Sequence, residues 1–257
     1  MKNHFIYSYT GNKRNETENF LNHIKLENIK NIIEPFCGSS AISYAIWLQN
    51  KDKFNYYLND SDKKLFDIYK LMKEETIEDI ENKVNDYAKN IKNKDDWLYE
   101  FKNNDKTLYS YIFFKKFSAL GRYGFYPNEK KNVYNFKITK ETKDFIEFIK
   151  QPYVHITHGD WFEVFETFKN DEQSLIMLDP PYIMACNDFY SDRKLNVYQY
   201  FYDNKMELMK AHIYFILEDH WILRMLFMNN NILLKYGKKY EVSKKLTNHI
   251  IIYNHKK

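Results

Sequence analysis

Cysteine, glycine and proline are all scarce in this chain of 257 residues, at two, six and five copies. Cys37 and Cys186 are isolated, with no Cys-x-x-Cys spacing. That argues against a disulfide framework and a thiolate zinc site, and it suits a reducing compartment. The histidines are scattered without ligand spacing, so no metal is expected. No apolar run approaches the roughly 20 residues of a membrane-spanning helix. The N-terminus turns polar by Ser8, so no signal peptide is expected and a soluble intracellular protein is. A strong excess of either charge is also lacking. The net charge of +4 does not by itself demonstrate a nucleic-acid partner, but clustered lysines would allow one.

What is present is an ordinary globular composition, 44% hydrophobic and 29% charged, with enough residues for one domain carrying an insertion. Lys30-Asn-Ile-Ile-Glu34 reads as a short strand, Pro35 to Ser39 as a turn, and Ala41 to Leu48 as an amphipathic helix. A second strand, Phe54 to Leu58, ends in Asn59-Asp60. Leu65, Ile68, Tyr69 and Met72 then recur at helical spacing. Strand, turn, helix, strand and acid open a parallel α/β sheet. The alternation resumes with Tyr153 to Ile156, Trp161 to Phe168 and the run Ser174-Leu-Ile-Met-Leu178. Ile213 to Leu217 and His249 to Tyr253 are further strands. Between the halves the character changes. Glu74 to Asn90 reads as one charged helical stretch and Trp97 to Phe117 as a second. Ser118 to Phe136 holds two of the six glycines and interleaves aromatic with basic side chains, the chemistry of a hairpin or loop. The expected division is therefore a catalytic domain of residues 1–74 and 152–257, interrupted by a module of residues 75–151.

Asp179-Pro180-Pro181-Tyr182 is the most informative segment. It follows a buried strand, and its two prolines remove two amide donors, so pairing as sheet stops there. A rigid corner results, with a carboxylate on one side and an aromatic ring on the other. Such a corner suits chemistry on an exocyclic base amine, which needs acceptors for the amine hydrogens and a flat surface for the base. Glu34-Pro-Phe-Cys-Gly-Ser-Ser40 turns the first strand into its helix, where ligands bind in α/β sheets. It can equally be a plain βα turn. Asp60, some 20 residues on, can accept ribose hydroxyls, or Asp60 or Ser61 can cap the next helix. Asp160, after His158-Gly159, is either an N-cap or a ligand contact. Lys13, in the loop Tyr7-Ser-Tyr-Thr-Gly-Asn-Lys13, can neutralise a carboxylate or lie solvated at the surface.

Tyr9-Thr-Gly-Asn-Lys13, Glu34-Pro-Phe-Cys-Gly38, Leu58-Asn-Asp60, His158-Gly-Asp160 and Asp179-Pro-Pro-Tyr182 occur in the order of the Dam-type (D12 class) DNA adenine-N6 methyltransferases. The chain resembles the phage branch of that family from Tyr7 to about Tyr182. The resemblance implies a Rossmann-like α/β sheet that binds S-adenosylmethionine, with an inserted, mostly helical target-recognition module carrying a hairpin. It implies double-stranded DNA as partner and a base flipped from the duplex. Carried over by motif, Tyr9, Lys13, Phe36, Cys37, Gly38, Ser39, Ser40, Asp60 and Asp160, with Asp179, surround the donor. Asp179, Pro180, Pro181 and Tyr182 form the catalytic corner. Arg122 becomes the leading base reader, with Tyr123, Lys130 and Lys131 as further DNA contacts. Ser40 stands where the family usually has a second glycine, and Ser8 where bacterial relatives often have lysine. A cytosine-N4 or RNA adenine methyltransferase, or an inactive DNA-binding relative, is the alternative.

Overall fold

The computed structural model describes residues 1–9, 11–103, 107–118, 127, 134–182, 194–239 and 246–255. A seven-stranded sheet organises them. Its strands are β1 (Asn31–Glu34), β2 (Asn55–Asp60), β3 (Val154–His158), β4 (Ser174–Leu178), β5 (His212–Glu218), β6 (Asn231–Lys239) and β7 (Leu246–Tyr253). The order is β3-β2-β1-β4-β5-β7-β6. The first five run parallel, and β7 inserts antiparallel between β5 and β6. β4 is buried along its whole length and β5 at all but its end residues. This explains why both read as continuous apolar runs instead of alternating ones.

Successive residues send their side chains to opposite faces, so each strand feeds two cores. Ile32, Leu175, Met177, Tyr214, Ile216 and Ile251 face one core. Ile33, Ile176, Leu178, Ile213, Phe215, Ile250 and Ile252 face the other. The first core is covered by α2 (Ala41–Gln49), α3 (Lys63–Glu74) and α7 (Lys140–Ile149), together with the N-terminal segment around α1 (Thr17–Leu21). The second is covered by α8 (Trp161–Phe168), α9 (Lys194–Asp203) and α10 (Trp221–Leu226). Among the described residues no helix is long and apolar enough to cross a membrane.

The expected strands and the helices beginning at Ala41 and Trp161 are present with nearly the anticipated limits. Three differences stand out. The stretch from Trp97 to Phe117 is two helices, α5 (Lys94–Asn103) and α6 (Leu108–Phe117), with α4 (Ile77–Ala88) before them. Thr107 starts α6 with a reciprocal capping box to Ser110, which sets a new helix start inside the anticipated one. β6 was not anticipated. Its segment Asn-Ile-Leu-Leu-Lys-Tyr-Gly-Lys-Lys has no clean alternation and contains a glycine, and a register shift interrupts its pairing with β7. Finally, α7, at the end of the central segment, packs into the sheet's own core, where Phe145 meets His4, Phe5 and Tyr44, and Phe148 meets Trp47 and Tyr56. Of the expected hairpin, Ser118 and Pro127 form an antiparallel bridge. Arg122, Tyr123, Lys130 and Lys131 lie outside the described residues.

Candidate active site

The strand order reverses between β1 and β4, which are direct neighbours in register from Asn31↔Ser174 to Ile33↔Ile176. At such a switch point the loops leaving the two strands diverge to opposite sides and open a crevice. The loop leaving β1 is Pro35 to Ser40, and the one leaving β4 is Asp179 to Tyr182. The topology thus brings the two most informative motifs of the sequence together.

The β1 loop is held from three directions. The Cys37 amide donates to Asn59 O at 2.8 Å, and the Gly38 amide to Asp60 Oδ2 at 2.9 Å. His4 Nε2 donates to Ser39 O at 2.8 Å, and burial lowers the pKa of His4 to about 4, so the ring is neutral with its proton on Nε2. Tyr69 of α3 donates to Gly38 O at 2.7 Å and shares a hydrogen bond with Ser40 Oγ at 2.9 Å. Gly38 has φ +50°, and a Cβ there would lie 3.0 Å from Cε1 of Tyr9. Glycine is required both for the left-handed backbone and for the ring's approach. Ser40 also has a left-handed backbone, φ 48° and ψ 38°, and its side chain does not cap α2. This backbone favours glycine, and the Tyr69 bond is what a serine gains there. Capping of α2 falls to Glu34, whose Oε1 accepts the Ser43 amide at 2.7 Å. Burial pushes the Glu34 carboxyl up to about 7.

Asp60 accepts from the Gly38 amide and, through Oδ1, from the Asp62 amide at 3.0 Å. Burial raises its pKa, while these amides oppose the rise. It is Asp62, and neither Asp60 nor Ser61, that caps α3, accepting from Lys64 and Leu65. Asp60 is therefore left to face the loop. Asp160 caps α8 through the Phe162 amide at 3.0 Å, and Trp161 beside it stacks on Phe36 with centroids 5.8 Å apart. Asn59 ties the ends of three strands, donating to Pro35 O at 3.1 Å and Gly159 O at 3.2 Å, and accepting from Thr157 at 3.0 Å.

At the β4 corner, Lys13 pairs with Asp179 Oδ2. The lysine side chain is 7% exposed and the aspartate 22%. Burial opposes the ammonium charge, but Asp179 and then Glu16 outweigh it and raise the lysine pKa. The reading of Lys13 as a carboxylate partner is therefore the one realised. The Tyr182 hydroxyl donates to Asp179 Oδ1 at 3.2 Å and also lies 3.1 Å from His249 Nδ1. Lys13 Nζ sits 5.2 Å from the Tyr182 ring centroid. Tyr198 of α9 donates to Pro181 O at 3.4 Å. Behind the corner, Tyr236 of β6 donates to buried Glu16 at 2.6 Å, and its ring lies 5.5 Å from that of His249.

Several of these residues were not singled out from sequence: Glu16, Asn59, Tyr69, Tyr236 and His249. Asn59 and Tyr69 had a weak signal, since each borders or sits within a segment already read for its pattern. His249 was legible only as part of a strand and Tyr236 not at all, because the antiparallel pairing of β6 with β7 alone brings them to the corner. Among the described residues no group of three or more His, Cys, Asp or Glu side chains gathers in a way that would hold a metal ion.

The arrangement is a backbone-lined cradle beside a carboxylate–aromatic corner, whose carboxylate is paired with Lys13 of the N-terminal loop. A family model described as D12 class N6 adenine-specific DNA methyltransferase matches residues 9–212. No curated protein sequence is significantly similar to the chain. Among solved structures, the N-terminal domain of human METTL16 in complex with SAH aligns over 94% of this chain and 68% of its own, at 7% identity and a TM-score of 0.41. The rRNA methyltransferase AviRa from Streptomyces viridochromogenes aligns over 97% of this chain and 89% of its own, at 10% identity and a TM-score of 0.41.

Proposed function

Because the chain belongs to the D12 class of N6 adenine-specific DNA methyltransferases, we propose that it methylates adenine at one short sequence of duplex DNA, with Asp179, Pro180, Pro181 and Tyr182 receiving the extruded base. The methyl donor is S-adenosylmethionine, which supplies an electrophilic methyl group on a positively charged sulfur. The residues present fit it. The Gly38 backbone lies so close to the Tyr9 ring that a side chain there would collide with it, and the Asp60 carboxylate faces the loop. Tyr9 and Lys13 would contact the donor, Phe36, Cys37, Gly38, Ser39 and Ser40 would surround its methionine part, Asp60 would accept from the ribose, and Asp160 would approach the adenine.

Adenine N6 is a poor nucleophile because its lone pair is conjugated into the ring. Asp179 and the Pro180 carbonyl accept its two hydrogens, which favours a pyramidal nitrogen with a directed lone pair. Positioning and electrostatics then carry the reaction, with no covalent enzyme intermediate. Tyr182 stacks on the flipped base, an interaction worth roughly 1–3 kcal/mol. Lys13 orients Asp179 through their ion pair. Residues 75–151 act as the target-recognition module. Arg122 reads a base, Tyr123 is a further DNA contact, and Lys130 and Lys131 meet phosphates.

The observation that carries this reading is the meeting of the β1 loop and the β4 corner at the switch point, with Lys13 paired to Asp179. The test is exposure of plasmid DNA, and separately of RNA, to the purified protein and labelled donor, followed by methylation-sensitive sequencing. N6-methyladenine at one short duplex sequence is expected. Label only on cytosine, only in RNA, or at adenines regardless of sequence would overturn the proposal.

A further inference from the structure

His249 belongs to β7, beyond the residues that the family model covers, yet it touches the catalytic corner. It is fully buried in an otherwise apolar run, between Glu218 of β5 and Tyr236 of β6 in the sheet register. Its ring meets that of Tyr182 edge-on, with centroids 4.8 Å apart and planes at 86°. Its Nδ1 lies 3.1 Å from the Tyr182 hydroxyl, across 67 residues of sequence.

The Tyr182 hydroxyl has one hydrogen, and both Asp179 Oδ1 and His249 Nδ1 lie within hydrogen-bond reach of it. Asp179 Oδ2 is engaged by Lys13. Both carboxylate oxygens are thus occupied, and an incoming amine hydrogen needs one of them. The longer bond, from Tyr182 at 3.2 Å, is the one to yield. A hydroxyl displaced in this partly buried site without another acceptor would be costly. We propose that His249 is a positioning residue. Its Nδ1 takes the Tyr182 hydroxyl hydrogen, which frees Asp179 Oδ1 for the amine and fixes the Tyr182 ring as the wall on which the base stacks. The hydrogen turns about the C–O bond, and no proton is transferred. This role requires the tautomer that carries its proton on Nε2. This inference rests on the proposed function, since it assigns a task within the same site.

Two measurements test it. In protein labelled isotopically at histidine, the His249 Nδ1 resonance should shift on Tyr182→Phe, with or without any activity. In single-turnover methyl transfer, His249→Phe keeps an aromatic ring but no nitrogen, and should slow the step about tenfold while donor affinity stays within about twofold. His249→Asn, whose Oδ1 reaches the place of Nδ1, should restore most of the rate. The Tyr182→Phe/His249→Phe double variant should be no slower than the slower single variant. An unshifted resonance, a parental rate for His249→Phe, or fully multiplying losses would overturn the assignment. A shifted resonance in a protein that methylates no nucleic acid would overturn the proposed function, and the catalytic task of His249 with it, while leaving the hydrogen bond itself established.

Discussion

Replacing Asp179 by asparagine tests the site through stability, independently of catalysis. The substitution keeps the shape of the side chain and removes its charge, leaving the Lys13 ammonium, with a side chain only 7% exposed, without its closest anion. Breaking a buried pair from one side costs about 3–5 kcal/mol. Asp179 is 22% exposed and Glu16 still attracts Lys13, so the expected cost is smaller, about 2 kcal/mol. For a chain of this size that corresponds to a fall in Tm of roughly 4–8 °C. Lys13→Met in the same protein removes the orphaned ammonium, so the double variant should recover most of the loss. Activity cannot separate these variants, since all of them lack the charged acceptor, whose loss costs about 100-fold or more. Urea and thermal melts without donor or DNA can. An Asp179→Asn protein that melts like the parent, or a double variant less stable than Asp179→Asn alone, would refute the reasoning that Lys13 depends on Asp179.

Three further outcomes follow from the same geometry. The Glu34 carboxyl is pushed from its ordinary 4.5 to about 7, so between those values the folded protein holds a proton that the unfolded chain has lost; stability should fall by about 3 kcal/mol as pH rises through that window, and Glu34→Gln should flatten the slope in melts recorded across it. Ser40→Gly should relieve a left-handed backbone, a gain of about 1 kcal/mol, and lose the Tyr69 bond of similar size, for little net change; in a Tyr69→Phe background it should become stabilising, and equal effects in both backgrounds would show that the bond contributes nothing. Asp60→Ala should weaken donor binding by roughly 1–3 kcal/mol in calorimetry, whereas Asp62→Ala should cost about 1 kcal/mol of stability through the lost α3 cap and leave donor affinity alone; the reverse pattern would exchange their roles.

By itself the sequence determined the parallel half of the sheet and the identity of both loops at its switch point. Those signals are local. Ser174 to Leu178 is apolar because both faces of β4 are buried, and Pro180 and Pro181 stop pairing wherever they occur. The helix starts at Ala41 and Trp161 were legible for the same reason, from spacing within a dozen residues. Tertiary structure alone decided which polar groups share a buried space. Lys13 and Asp179 meet across 166 residues, and no pattern near either one says whether the lysine is solvated or paired. Asp60 and Asp62 are alike in sequence, and only the approach of Gly38 assigns one to the loop while the other caps a helix. His249 lies in an apolar strand that was itself legible. Its contact with Tyr182 arises because β7 inserts antiparallel beside β5, and the pairing register decides which residue stands behind the corner. Register is a property of two strands together, so one strand's sequence does not contain it.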